Sequence, residues 1–378
     1  MMANFFFYGT LCHLPLLEKV LGYRPALFVA ELPDYEVYWA LDESYPVIVP
    51  HLGRLAKGLL VKDLSKIDIA KLDFYEGGFG YDTHKVNIIK SEELLYAQVY
   101  FPLNPAALGA VWSLSDWQMQ WSDIVVEAAG EFMALLGLVA PKYLLHRYPM
   151  MLARAASRLR ARTQNVDFLP SLRRNARIED VTVENVEQPY AKFFAIEEYR
   201  LRFSTFAGPQ SASIERAVFI SADAVTILPY DPKSDLVMLI EQLRTGPLAR
   251  GEEQVWLLET IAGRIDAGEA PHGAAYREAQ EEAGLKLQAL LPIAKSYPSP
   301  GANSEYLYSF LGITDLTVQQ DDVFGLASED ENIKTHIMPF AAMMDLLKAG
   351  EINTTPLVMS ALWLNKERTE LMANARLT

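Results

Sequence analysis

One segment constrains this chain more than any other. From Gly263 to Leu285 it reads GRIDAGEAPHGAAYREAQEEAGL. The glycines and Asp266 make the first part a loop, Pro271 suits the first turn of a helix, and Gly284 suits its end. The pattern predicts a helix over about 271–283. On that helix Glu278, Glu281 and Glu282 stand at i, i+3 and i+4 and share a face. Carboxylates so close repel one another and raise each other's pKa if buried. A divalent cation removes that penalty, and hard oxygen ligands of this kind suit Mg²⁺ or Mn²⁺. On the spacing alone, a solvated acidic helix face is the simpler account.

The whole pattern is more specific than the spacing. Gly263, Glu269, Arg277, Glu278, Glu281, Glu282 and Gly284, with aliphatic Ala279 and Leu285, resemble the Nudix box at every fixed position. Seven letters at roughly one in fifteen each give a chance match of order 10⁻⁶ in a chain of this length. The resemblance implies an α/β/α sandwich with a mixed sheet. It also implies Glu278, Glu282 and the carbonyl of Ala262 as metal ligands, Arg277 orienting the carboxylates, and Glu281 assisting. Nudix enzymes hydrolyse a nucleoside diphosphate linked to a further group, which the box does not identify.

Flanking residues resemble the ADP-ribose pyrophosphatase branch of that family. Ile240-Glu241-Gln242-Leu243-Arg244 precedes the box, and Arg244 closes a strand beginning at Leu236, where a guanidinium can clamp a phosphate. An ion pair with Glu241 or Asp235 is the plainer alternative. After the box come Ser299, Pro300 and Gly301, a tight turn, then Glu305, which the resemblance places on ribose hydroxyls. Pro300 lies fifteen residues after Leu285, the spacing of the ADP-ribose hydrolases. The acidic stretch Gly325–Ile333 then implies Glu329 as general base and Glu331 as a further metal ligand, with a solvated acidic loop as the alternative. By the same resemblance Phe193 and Phe194 stack on adenine, and Arg264 and Arg216 bind substrate, Arg216 often across a dimer. The chain departs from the branch at Ser221-Ala222, where an arginine-glycine pair is usual.

Bulk properties bound the partners. The 378 residues carry 34 basic and 48 acidic side chains, a net charge of −14, which opposes binding to nucleic acid and anionic membranes. Cys12 is the single cysteine, so no intramolecular disulfide forms. The first residues lack the basic region of a signal peptide, and the apolar stretch 123–145 is broken by Glu127, Glu131 and Lys142. The chain reads as cytoplasmic. Between residues 147 and 177 eight arginines stand with Asp167 as the only acid among them. Without an aromatic-rich binding motif, this stripe reads as a solvated helix and connector that complements acidic surface on the flanking domains. Trp112, Trp117 and Trp121 read as packing residues.

The N-terminal third differs in pattern. Short strand-like runs alternate with turns, and Tyr8-Gly9-Thr10-Leu11 follows the first run and precedes a helical stretch, Pro15 to Leu21. Backbone N–H groups at such a turn can hold a carboxylate. With Tyr45–Pro50 and Leu72–Gly77, these residues resemble the γ-glutamylcyclotransferase-like (AIG2-like) fold, a small β-barrel with flanking helices. There Glu76 would shuttle a proton while the substrate's α-amine attacks its own γ-carbonyl; a turn carboxylate in a docking domain is the alternative.

The division expected is therefore a cyclotransferase-like domain over 1–104, a helical connector over 105–180 and a Nudix domain over 181–378. The expected function is Mg²⁺-dependent hydrolysis of ADP-ribose to AMP and ribose 5-phosphate by a homodimer. The alternatives are another substrate such as NADH or a nucleotide sugar, a γ-glutamyl amine cyclotransferase, or a non-catalytic ADP-ribose sensor.

Overall fold

The computed structural model describes residues 2–104, 106–163, 171–326 and 330–375. The chain divides into two compact units, Met1–Phe168 and Leu169–Thr378.

In the first unit five strands close on themselves. They are β1 (Ala3–Phe7), β2 (Leu27–Ala40), β3 (Pro46–Leu64), β4 (Tyr81–Lys90) and β5 (Glu93–Pro102). Their order is β3-β1-β5-β4-β2, with β2 pairing back onto β3; β1 and β5 run parallel, and β6 (Leu108–Val111) extends β2. Closure leaves no open edge and puts alternate side chains inside. Phe6, Leu32, Leu60 and Val99 form that filling, all at or near zero exposure. Gly58 is required where β3 crosses β1, because a Cβ there would lie 2.1 Å from the Phe7 carbonyl oxygen. Helix α1 (Leu14–Leu21) and α2 (Lys66–Gly77) follow β1 and β3; Ser65 and Asp68 cap α2 reciprocally.

Three helices complete this unit: α3 (Leu114–Gln120), α4 (Ser122–Ala134) and α5 (Tyr148–Thr163). α4 packs on α1 and α2, and α5 packs on α4. The expectation of a solvated basic helix is corrected at Arg154, while Arg162 is exposed as expected. Arg154 is 1% exposed and bonds Glu131 of α4 through both its Nε and a terminal nitrogen. Arg158 lies 3.8 Å from the same carboxylate, and Arg162 forms two bonds to Glu127. The acids that balance Arg154, Arg158 and Arg162 are on the neighbouring helix, out of sight of a count along the sequence, while Arg174 pairs with Asp180. Trp117 is fully buried, as a packing residue should be.

The second unit opens with a three-stranded sheet, β7 (Val181–Ala191), β8 (Ala195–Phe203) and β9 (Ile214–Ile220). A mixed eight-stranded sheet follows: β10 (Ala224–Asp231), β11 (Leu236–Leu243), β12 (Trp256–Glu259), β13 (Ile261–Arg264), β14 (Ala289–Ser296), β15 (Leu307–Ile313), β16 (Val323–Phe324) and β17 (Ile333–Pro339). The order is β14-β15-β10-β11-β17-β16, with β12 on β11 and β13 on β10, and only β10 and β15 were found parallel among these described pairs. α6 (Thr245–Arg250) joins β11 to β12. Alternation along β11 sends Met238 and Ile240 towards α7 (Pro271–Ala283), and Val237 and Leu239 towards α8 (Phe340–Ala349) and α9 (Thr355–Ala375). Helices on both faces make the expected α/β/α sandwich, and all eight residues of β10 are buried between them.

Candidate active site

Helix α7 spans the predicted residues, with Pro271 in its first turn and Gly284 in the left-handed region at φ 63°. Ala274, Ala275, Ala279 and Ala283 form its buried stripe, small enough to bring the helix close to the sheet. That approach seats Glu278 against β13. A Cβ on Gly263 would lie 1.9 Å from the Glu278 carboxyl carbon, so only glycine admits the carboxylate. One turn on, Glu282 accepts a hydrogen bond from the Ala262 N–H at 2.9 Å. The Ala262 carbonyl belongs to the same strand residue.

Arg277 holds the cluster together. It donates to Glu278 at 2.7 Å, to Glu281 at 2.9 Å, to Glu269 at 3.0 and 3.2 Å, and to the Arg264 carbonyl at 3.0 Å. Glu269 had no role assigned from the sequence beyond being a fixed letter of the box. Its task is to hold the far side of the guanidinium. The remaining repulsion is visible in the acidities. Burial pushes Glu278 up to about 7 and Glu282 up to about 8, and Glu331 adds to both. Among the described residues the carboxylates do not already meet at ligand distance around one point. Oxygen donors gathered against their own repulsion nevertheless fit a divalent cation, which is the charge missing from the cluster. Glu331 accepts from the Leu326 N–H at 3.1 Å; Glu329 lies outside the described residues.

Arg244 stands just past β11, but it pairs with neither acid proposed from the sequence. Its Nε donates to Glu259 on β12 at 2.8 Å. Glu241 faces the other side of the sheet and bonds His336, while Asp235 bonds Arg368. Antiparallel pairing of β11 with β12 decides this: it sets Glu259 opposite Ile240, on the face Arg244 shares by alternation, and the long guanidinium reaches back to it. The Arg244 charge also acts on both Glu282 and Glu305.

Ser299, Pro300 and Gly301 form an exposed turn, closed by Ala302 and Asn303 N–H groups donating to the Ser299 carbonyl at 3.0 and 2.9 Å. The loop is tied to β9 through Phe219 and Asn303. Ser221, flagged as a departure, secures the same loop: its N–H donates to the Ser304 hydroxyl at 3.0 Å, which donates to the Ser221 carbonyl at 3.1 Å. The Ser221 hydroxyl lies 3.4 Å from Glu305, whose acidity burial weakens. A serine therefore positions Glu305 where the related branch carries arginine. Phe193 lies under the Arg264 guanidinium at 4.2 Å, and Phe194 packs between Phe193 and Phe219. Arg216 is not among them. It is three residues from Phe219 along β9 and so on the opposite face, in an open cleft of about 580 Å³ with Tyr199 and Arg200.

The first unit holds a separate cavity of about 630 Å³ including its mouth. Tyr8, Gly9, Thr10 and Leu11 line it with Glu76, which sits near the end of α2. The Tyr8 hydroxyl donates to the Tyr100 carbonyl at 2.9 Å, and Tyr81 donates to the Pro46 carbonyl at 2.8 Å. The Glu76 carboxyl is withdrawn from bulk water, which pushes its pKa up to about 8.

Comparison with known proteins finds relatives of both units. The NUDIX domain model matches residues 221–358, and the model described as gamma-glutamyl cyclotransferase, AIG2-like, matches residues 5–119. An ADP-ribose pyrophosphatase of Haemophilus influenzae is 33% identical over 51% of this chain and 89% of its own length. The protein of that name from Escherichia coli K12 is 36% identical over 49% of this chain and 88% of its own. A solved structure titled an ADP compounds hydrolase aligns with 51% of this chain and 98% of its own at 25% identity and a TM-score of 0.38. No described helix is long and apolar enough to cross a membrane. With its box filled, its carboxylates gathered against β13 and relatives matched over nearly their whole length, the chain belongs to the Nudix hydrolases and carries a γ-glutamyl cyclotransferase-like domain ahead of the Nudix domain.

Proposed function

We propose that the second unit hydrolyses ADP-ribose to AMP and ribose 5-phosphate with Mg²⁺. The observation that carries this is the seating of Glu278 against Gly263 and of Glu282 on the Ala262 N–H, beside Arg244. The names of the relatives above supply the substrate.

Glu278, Glu282, Glu331 and the Ala262 carbonyl would hold the cation. A divalent cation held there would supply charge neutralisation at the phosphoryl oxygens and a lowered pKa for an attacking water. Arg277 fixes the carboxylates and Glu281 supports them. Arg244 clamps the diphosphate, released in part from Glu259 as the substrate arrives. Glu305 accepts from the terminal ribose hydroxyls at the end of the 299–301 turn. Phe193 and Phe194 offer the adenine a stacking surface, with Arg264 closing over it. Glu329 takes the proton from the water. Arg216, on the far face of β9, serves a second copy of the chain in a homodimer, and the cytoplasm is the assigned compartment.

A panel of ADP-ribose, NADH, nucleotide sugars and diadenosine polyphosphates with Mg²⁺ tests the substrate. A GDP-mannose pyrophosphatase of Escherichia coli, 33% identical over 36% of this chain and 71% of its own length, makes nucleotide sugars the arm to watch. AMP released fastest from ADP-ribose supports the proposal; no AMP from it, with another substrate cleaved, defeats it.

A second reading concerns the first unit. A weakened carboxyl at the base of a cavity suits proton transfer, and we assign Glu76 that role in cyclising a γ-glutamyl amine. The α-nitrogen bonds to the γ-carbon, the amide C–N bond breaks, and the proton lost by the α-amine leaves on the product amine through Glu76. Release of 5-oxoproline measures it.

A further inference from the structure

The cavity of the first unit has a wall that the matched segment, residues 5–119, does not supply. Val125 of α4 and Tyr148 at the start of α5 line it together with Tyr8 and Glu76. Val125 is 3% exposed and Tyr148 7%, so both are built into the interior. The Tyr148 ring meets Phe79 edge-on with centroids 4.7 Å apart, and Phe132 of α4 stacks on the same Phe79 at 5.6 Å and 13°. Tyr148 also shares a hydrogen bond with Tyr75 of α2. The wall is fixed from behind, because the buried Arg154–Glu131 pair joins α5 to α4. The arginine stripe thereby acquires a purpose in the site: its innermost member locks the two helices against the cavity.

The lining chemistry is one-sided. Among the described residues that line the cavity, Glu76 is the sole carboxylate, and none is lysine, arginine or histidine. A γ-glutamyl amide places its zwitterionic glutamyl half at the turn Gly9–Leu11 and Glu76, which leaves its amine half to face Val125, Tyr148 and Phe79. A charged substituent there loses its water and meets the aliphatic Val125 and the rings of Tyr148 and Phe79, whose attraction for a cation is smaller than the hydration given up. An alkyl or aryl substituent gains apolar contact instead.

We propose that α4 and α5 are part of the binding site of the first unit and select γ-glutamyl amides whose amine half is uncharged and apolar, with Tyr148 as the residue that sets this preference. The proposal rests on the cyclotransferase reading of the Glu76 cavity. Cyclisation itself follows the atom balance given above.

Two amides of matched length separate the outcomes: γ-glutamyl-pentylamide and γ-glutamyl-5-aminopentylamide, which differ by one terminal ammonium. With the full chain, 5-oxoproline release gives kcat/KM, and calorimetry on Glu76→Gln gives binding free of turnover. The pentylamide is expected to lead by about tenfold or more in both measurements. Tyr148→Ala should cut that lead to about threefold, through KM of the pentylamide rather than kcat. Tyr148→Phe, which keeps the ring, should retain the lead, so a collapse of the alanine variant's fold does not decide the matter. Equal or reversed preference in the wild-type chain overturns the proposal. Selective binding without 5-oxoproline release defeats the cyclotransferase reading alone and leaves the selectivity standing; binding of neither amide overturns the selectivity as well.

Discussion

The two units solve the same electrostatic problem in opposite ways. Each carries carboxylates whose acidity is weakened by burial, Glu278 and Glu282 in one and Glu76 in the other. In the Nudix unit the acids stand in a group with Glu331 nearby, an arginine ties them together, and the negative charge left over calls for a divalent cation. In the barrel unit a single acid is surrounded by tyrosines and apolar side chains, and a proton suffices to neutralise it. On the readings proposed above, the cluster serves a metal and the solitary buried acid carries a proton. Burial is common to both, so the number of neighbouring carboxylates is what separates the two chemistries.

The sharpest way to break this comparison is to remove the metal. Chelation with EDTA should abolish AMP release from ADP-ribose and leave 5-oxoproline release intact; loss of both would mean that the two sites are not chemically separate. Glu282→Gln should lower kcat for ADP-ribose by about 10³-fold, roughly 4 kcal/mol of transition-state stabilisation, while binding of ADP-ribose persists. A variant that still turns over at the wild-type rate would remove Glu282 from the metal site. Binding without any turnover in the wild-type chain would instead favour the sensor alternative.

Glu76→Gln makes the complementary cut. It should reduce 5-oxoproline release by about 10²-fold and leave ADP-ribose hydrolysis unchanged. Its pH behaviour has a definite sign. The folded-state pKa is raised from 4.5 to about 8, so the folded chain keeps a proton that the unfolded chain releases. The stability this contributes is complete below about pH 4.5 and is lost as the pH rises towards 8. Relative to Glu76→Gln, the wild type should therefore lose stability across that window, in denaturant titrations at each pH. Cyclisation, which needs the basic form, should rise through the same range.

Smaller effects test the supports. Arg154→Ala leaves Glu131 buried with Arg158 as its remaining basic partner among the described residues and should cost about 3 kcal/mol in urea unfolding of the first unit. It should also loosen the cavity wall while sparing ADP-ribose turnover. The smallest expected effect is at Ser221. Ser221→Ala keeps the backbone bonds to Ser304 but loses the hydroxyl beside Glu305, and KM for ADP-ribose should rise about threefold, worth roughly 0.6 kcal/mol. An unchanged KM would detach Glu305 from the substrate.

Much of this was legible in the residues. The bounds of α7 followed from Pro271 and Gly284, because proline and glycine act on the backbone locally. The shared face of Glu278 and Glu282 followed from the helical repeat. The five-stranded barrel and the sandwich followed from motifs that resemble known folds. What stayed hidden depends on partners distant in sequence. The glutamate that holds Arg244 is fifteen residues away, across a strand pair whose register no local pattern announces. The burial of Arg154 was misread because its acid lies on another helix, and a run of arginines looks solvated until that helix is placed against it.

The sequence by itself determined the chemistry available: which acids, at what spacing on one helix, and which turns. Periodicity and the conformational limits of proline and glycine act over a few residues, and that is enough for such assignments. The tertiary structure alone decided how those groups are used. It seated Glu278 against Gly263, turned Ser221 into a support for the 299–305 loop, and brought Val125 and Tyr148 to a cavity that begins with Tyr8. Those contacts are set by how sheets register and helices pack, a property of the whole folded unit that no single segment contains.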